Sequence, residues 1–280
     1  MIYSKIIFPI SQRLFWLKVK QRKKDWKKMI KDNSFRSVKT LDDINFVLYK
    51  EDVLSEVIYA GSFEWAEKEW VKSFLKPNFV FYDIGANIGF YTLIAAKIVG
   101  TNGKVYAIEP SLNTYKKLTE NVSANSTICS QIETFQIAAS DKAGENEIYV
   151  SNSDLHAWNS IAKPANASQF TLEKIKTQTI DELVVSNNWR PPDLIKIDVE
   201  GWEKFVLDGA KKIILKYAPA LIIEFTKENL MRTETSYETV KNQLKEMGYD
   251  LYEYLPRYKS LQLVSNWDFE HKNIVAIHKK

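Results

Sequence analysis

From Pro77 to His278 the chain alternates short apolar runs with amphipathic helical stretches, and this alternation constrains the fold more than any other feature. Runs of strand length lie at Phe79–Ile84, Lys104–Glu109, Ile132–Ala139, Asp193–Asp198 and Ala220–Phe225. Helical patterns fill Tyr91–Val99, Ser111–Asn125, Trp202–Lys216 and Tyr237–Met247 between and after them. Strands joined through helices run the same way, so the order predicts an α/β fold with a doubly wound, mostly parallel sheet. The last two runs, Tyr249–Leu255 and Asn273–His278, have no helix between them, which predicts an antiparallel strand at one edge. Ligands of such sheets bind beyond the carboxyl ends of the strands.

Composition removes several classes. With 45% hydrophobic and 26% charged residues over 280 positions the chain can bury a core and is not disordered. A single cysteine, Cys129, excludes an internal disulfide, and His156, His271 and His278 are too dispersed for an HExxH zinc site. Charge is segregated: residues 1–31 hold ten Lys/Arg against one acid, Asp25, so they exceed the net +4 of the whole chain. The body is mildly acidic, and no nucleic-acid groove is expected across it.

That basic segment is expected to be an amphipathic extension over residues 1–43, ahead of a catalytic domain over residues 44–280. Ile10, Leu14, Leu17, Trp26 and Ile30 recur near helical spacing against a Lys/Arg face. No run approaches the roughly 20 apolar residues of a membrane span, and no signal-peptide cleavage site follows. Two readings stand: peripheral docking of residues 10–30 on an anionic membrane, or packing on the chain's own domain or a second copy. The expected location is cytoplasmic, on the inner face of the membrane if the first reading holds.

The strongest chemical signal is the strand–turn–helix passage Asp83-Ile-Gly85-Ala86-Asn87-Ile-Gly89. The two glycines permit positive φ and close approach of backbone to a ligand. A dinucleotide fingerprint needs glycine at 87 and 90, where Asn87 and Phe90 stand, so that reading fails. S-adenosylmethionine fits better: Asp83 lies toward its ammonium end, and Glu109, at the tip of the next strand, accepts the ribose hydroxyls. Ala138, on the third strand, is placed beside the adenine.

These residues resemble the FkbM-type methyltransferases. The resemblance runs from about Asn45 to His278 through Gly61-Ser-Phe63-Glu64, Asp83 to Gly89, Ala107-Ile-Glu109-Pro110, Ala138-Ala-Ser-Asp141, Ile195-Lys196-Ile-Asp198-Val-Glu200-Gly201 and Ile223-Glu224. It implies the Rossmann-like class I methyltransferase sheet, S-adenosylmethionine as cofactor, and Glu64 near the cofactor's methionine end. It also implies an O-methyltransferase acting on a glycan, sugar nucleotide or related natural product, as in polysaccharide biosynthesis.

Methyl transfer to an alcohol needs a group that takes its proton. Asp198, Glu200 and Glu224 are expected to converge at the strand ends, and one of them, or His156 in the polar loop Ser151–Gln169, is the candidate base. Glu200 and Glu203 are alternatively caps of the following helix. Lys196 is expected on the other face of its strand from Asp198. No metal set is assigned; Mg²⁺ would use Asp198 and Glu224, and the preferred chemistry is metal-independent. Tyr252, Tyr254, Arg257 and Tyr258 are candidate walls of the acceptor pocket. The competing functions are a nucleic-acid methyltransferase and a non-catalytic cofactor-binding scaffold, and a homo-oligomer is compatible with the sequence.

Overall fold

The computed structural model describes residues 10–30, 35–50, 53–151, 160–161 and 169–279. It opens with helix α1 (Ile10–Met29), the hairpin β1 (Phe35–Lys39) and β2 (Asn45–Tyr49), and helices α2 (Val53–Ala60) and α3 (Trp65–Phe74). The alternating part follows: β3 (Val80–Ile84), α4 (Phe90–Val99), β4 (Lys104–Ile108), α5 (Leu112–Ser123) and β5 (Ile132–Phe135). Next come β6 (Ala138–Ala139), β7 (Gly144–Ser151), β8 (Phe170–Gln178), α6 (Ile180–Ser186) and β9 (Leu194–Ile197). The chain ends with α7 (Glu203–Gly209), α8 (Lys211–Tyr217), β10 (Ala220–Thr226), α9 (Lys227–Arg232), α10 (Tyr237–Glu246), β11 (Tyr249–Leu255), β12 (Ser260–Leu263) and β13 (His271–His278).

Eight strands form the central sheet in the order β12-β11-β13-β10-β9-β3-β4-β5. The five from β5 to β10 are parallel, while β13, β11 and β12 add antiparallel pairings on the other side. The predicted parallel sheet is therefore present, with a larger antiparallel edge than the sequence pattern showed. β13 inserts between β10 and β11, where its run Asn273–Ala276 is buried from both faces. β12, outside β11, carries only the short alternation Ser260-Leu261-Gln262-Leu263, which the sequence reading did not assign to a strand.

Strand alternation divides the core into two layers. Val80, Tyr82 and Ile84 of β3 face one layer with Ile195, Ile197, Leu221 and Ile223, whereas Phe81, Val105, Leu194 and Ile222 face the other with α4. The expected strand Ile132–Ala139 is two: β5 pairs with β4, and after Gln136 and Ile137 the chain leaves the sheet so that β6 pairs with β8. The expected helix Trp202–Lys216 breaks between α7 and α8 beside Gly209, where a Cβ would stand 1.9 Å from the Ser140 carbonyl oxygen. Close packing of that turn on β6 decides the break. Among the described residues no helix is long and apolar enough to cross a membrane.

Candidate active site

A cavity of about 320 Å³ lies at the carboxyl ends of β3, β4, β9 and β10, a size suited to a small-molecule ligand. Period-two alternation decides which side chains reach it. Phe81 and Leu194 face the α4 layer, so Asp83 and Lys196, two residues further along each strand, face it too. They are register partners across β3 and β9. Glu224 follows Ile222 in the same way on β10. This corrects the expected orientation of Lys196, since positions two apart share a face. Its Nζ lies 2.6 Å from Asp198 Oδ2 and 4.9 Å from the centre of the Tyr91 ring.

One wall of the cavity is the glycine turn. Gly85 has φ +81°, and a Cβ there would lie 1.8 Å from the Asp198 carbonyl oxygen, so only glycine lets the ends of β3 and β9 approach. The amides of Gly85 and Ala86 donate to the Ile108 carbonyl, and that of Asn87 donates to Glu109 Oε2 at 3.1 Å. These amides already have acceptors, so the turn recognises a ligand through its carboxylates and shape. Gly89 does not line the cavity. A Cβ on it would meet Leu118 at 2.8 Å, and its place is to seat the turn on α5.

Asp83 Oδ2 accepts a hydrogen bond from Thr92 at 2.5 Å, but its Oδ1 and the Asn87 Oδ1 are buried without a protein partner. Unpartnered buried oxygens are costly and are the places a ligand's donors fill. Glu109 spends both oxygens on backbone amides, those of Asn87 and Ser111, and burial still pushes its carboxyl up to about 7. Glu64 caps α3 from the left-handed region, φ +36°, and accepts from the Tyr91 hydroxyl at 2.7 Å. Burial raises its pKa against the pull of Lys196. Burial works against the Lys196 ammonium as well, yet the surrounding carboxyls of Asp198, Glu64 and Asp83 outweigh it and push its pKa up. Ala138 and Trp202 close the far side, with the indole Nε1 donating to Ser140 Oγ at 3.0 Å.

The facing wall gathers Asp198, Glu200 and Glu224, each offering an oxygen within 4.8 Å of the others. Glu200 has φ +54° and is followed by Gly201 at φ +100°, where a Cβ would stand 2.4 Å from the Asn229 carbonyl oxygen. This tight turn brings Glu200 Oε2 to within 2.6 Å of Asn229 Nδ2. Glu203, the first residue of α7, accepts from the amides of Val199 and Gly201 in the turn before the helix, and no side chain caps the helix itself, so the capping alternative holds for neither Glu203 nor Glu200. Burial, then the charges of Glu224 and Asp198, raise the Glu200 pKa well above the usual carboxylate range. Burial and the charge of Asp198 raise Glu224 too, against the pull of His271, and its Oε2 has no hydrogen-bond partner among the described residues.

Sequence reasoning missed His271. It opens β13 opposite Thr226, with Nδ1 2.8 Å from Thr226 Oγ1 and 3.3 Å from Glu224 Oε1. The Glu224 contact raises its pKa although burial opposes this. The strand was expected to begin at Asn273, which placed His271 in a loop. The candidate base His156 lies outside the described residues. Tyr252 and Tyr254 pack on the α4-side core, and neither they nor Arg257 and Tyr258 line the cavity. Three residues of the cavity wall, Glu64, Asn87 and Glu200, are non-glycine residues at positive φ.

A doubly wound sheet with an acidic cleft at its parallel strand ends defines a nucleotide-type small-molecule site. Residues 83–251 match the methyltransferase FkbM domain, and the chain belongs to that family. It is 33% identical over 130 residues to the hexuronic acid methyltransferase AglP of Haloferax volcanii, a match covering 46% of this chain and 49% of that protein. The chain thus spans about half the length of that relative. Among solved structures, the FkbM methyltransferase of Methylobacillus flagellatus is similar at 16% identity with a TM-score of 0.45, covering 80% of this chain and 54% of the other. An O-methyltransferase of Bacillus cereus in complex with SAH is similar at 12% identity and TM-score 0.42, covering 76% and 80%. The fold is the Rossmann-like class I methyltransferase fold.

Proposed function

We propose that the chain is an S-adenosylmethionine-dependent O-methyltransferase whose acceptor is a hydroxyl of a glycan or sugar nucleotide. The observation that carries this reading is the pairing of two acidic walls in one cavity. Asp83, Asn87, Glu109 and Glu64 suit the cofactor, because the unpartnered buried oxygens of Asp83 and Asn87 face a ligand rich in donors. When bound, the cofactor supplies an electrophilic methyl group. Asp198 stands across the cavity, ion-paired to Lys196, and takes the proton of the acceptor hydroxyl. Glu200, whose neutral form burial favours, is placed to hydrogen-bond an acceptor oxygen, while Glu224 and His271 form a second pair that orients the sugar. Asp198, Glu200 and Glu224 also suit a hard divalent cation, with Glu200 as the third ligand beyond Asp198 and Glu224. The metal-free route is preferred because Lys196 already neutralises Asp198.

The name of the Haloferax volcanii relative supports a sugar acceptor of uronic-acid type. The test is transfer of labelled methyl from S-adenosylmethionine onto a panel of sugar nucleotides, uronic acid glycans, RNA and DNA, read by mass spectrometry. Product confined to saccharide hydroxyls supports the reading. Transfer confined to nucleic acid, or no binding of S-adenosylhomocysteine by calorimetry, overturns it.

A further inference from the structure

Helix α1 has two different faces, and the fold uses only one of them. Val19 and Trp26 are buried, and Arg22 locks the helix down by donating from Nε to the Tyr59 carbonyl at 2.6 Å and from Nη2 to the Lys39 carbonyl at 2.9 Å. The Arg22 guanidinium also stacks 3.9 Å over the Tyr59 ring. Positions 15, 19, 22 and 26 recur at helical spacing and form this docked stripe. Rotated half a turn away stand Leu14, Leu17, Lys20, Lys24, Lys27 and Lys28. Leu14 and Leu17 are 55% and 63% exposed, and Trp16 beside them is also exposed.

The outward face is apolar at its amino end and cationic along the rest. Among the described residues no carboxylate pairs with Lys20, Lys24, Lys27 or Lys28, and Asp25, the helix's one acid, accepts from Gln21 instead. A second copy of this chain presents the same positive charge, so self-association through this face would place lysines against lysines. An anionic lipid surface answers both halves, taking the leucines at the depth of the headgroups and the lysines at the phosphates.

We infer that α1 is a peripheral anchor whose Leu14–Leu17 tip and Lys20–Lys28 stripe bind anionic bilayers while its opposite face holds it to the domain. The anchor also has a fixed position relative to the cavity. Phe15 stacks on Trp65 at 5.5 Å and Trp16 meets the same ring edge-on at 5.6 Å, and Trp65 follows Glu64 of the cavity wall. A membrane-docked α1 therefore brings the methionine-end wall of the site near the lipid surface. If the proposed glycan acceptor is correct, this deepens it to a lipid-borne saccharide; the anchor itself stands without that reading.

The experiment is co-sedimentation of the full-length protein with vesicles of phosphatidylcholine alone or mixed with phosphatidylglycerol, with no cofactor or acceptor present. Binding is expected with the anionic vesicles, rising with the anionic fraction and weakening strongly between about 50 and 500 mM salt. The double variants Leu14→Ser/Leu17→Ser and Lys20→Glu/Lys24→Glu should each lower the partition coefficient by about tenfold or more. Their circular dichroism and S-adenosylhomocysteine binding should match the parent, since all four side chains are exposed. No sedimentation at low salt, equal binding to both vesicle types, or unchanged binding by the two variants would overturn the anchor. So would a dimer in solution that Leu14→Ser/Leu17→Ser dissolves, because it would assign the face to a second copy.

Discussion

In the proposed reaction Asp198 is the proton acceptor. Asp198→Asn keeps the shape and removes the proton acceptor, so kcat should fall by on the order of 10² to 10⁴ with S-adenosylhomocysteine affinity nearly unchanged. A variant with parental kcat on its acceptor would remove Asp198 from the reaction, and chelator-sensitive turnover restored by Mg²⁺ would favour the three-acid metal route instead. Glu109 makes a pH-dependent prediction. Burial pushes its carboxyl up to about 7, and in the proposed cofactor pose only the ionised form accepts from both ribose hydroxyls. Affinity for S-adenosylhomocysteine should therefore weaken by up to about tenfold per pH unit below that value and level off above it. Isothermal calorimetry from pH 5.5 to 8.5 reads this, and Glu109→Gln should bind weakly with a flat profile. Asp83, Glu109, Asp198 and Glu224 were legible because each stands at the end of an apolar run or one residue before it. Lys196 was legible in principle, by the same alternation that places Asp83, and was misassigned. His271 was not, because what draws it to Glu224 is a strand register with Thr226, 45 positions earlier in the chain.

The elements were easiest to read where local pattern and packing agree, as in β3–α4–β4–α5, and hardest where tertiary contact decides. Nothing local separates β5 from β6; the break comes from β8 pairing with the second piece. The amino-terminal helix shows the same limit. Leu14, Leu17, Trp26 and Ile30 were grouped on one apolar stripe, but Trp26 and Ile30 face the core while the two leucines face outward. Trp26 is 1% exposed, with its ring 5.4 Å from that of Tyr59. Trp26→Ala should cost about 3–5 kcal/mol in chemical denaturation, a loss expected only of a core position. A cost below about 0.5 kcal/mol, the range of surface substitutions, would show that α1 is not part of the folded body. Gly85→Ala tests the turn in the same way: its methyl would collide with the Asp198 carbonyl, so the ends of β3 and β9 must separate. Both stability and S-adenosylhomocysteine binding should fall, whereas an alanine variant that keeps both would deny the close approach.

Across the whole molecule, the fold buries a set of carboxyls at one cavity and, with Glu203, beside it, and this sets how its stability depends on pH. Burial raises Glu109 to about 7 and Glu203 to about 8, and it raises Asp83, Glu64, Glu200 and Glu224 as well. A carboxyl raised in this way binds its proton more tightly in the fold than in the unfolded chain. Its contribution is full below the ordinary value near 4.5 and is lost as pH rises through the folded value. His271, also raised, acts with the same sign above its ordinary 6.5. Lys196 stays charged in both states across this window and leaves the slope unchanged. The ligand-free protein should therefore melt at a lower temperature at pH 8 than at pH 6, each kcal/mol lost moving the midpoint by about 2–4 °C. Glu203→Gln isolates one member of the set: its amide oxygen can still accept from the Val199 and Gly201 amides, while the titration is gone. Scanning calorimetry at both pH values should give this variant a shallower decline than the parent. A parent midpoint that rises from pH 6 to pH 8 would mean that these carboxyls are ionised in the fold at neutral pH, held there by cations or water that offset their burial.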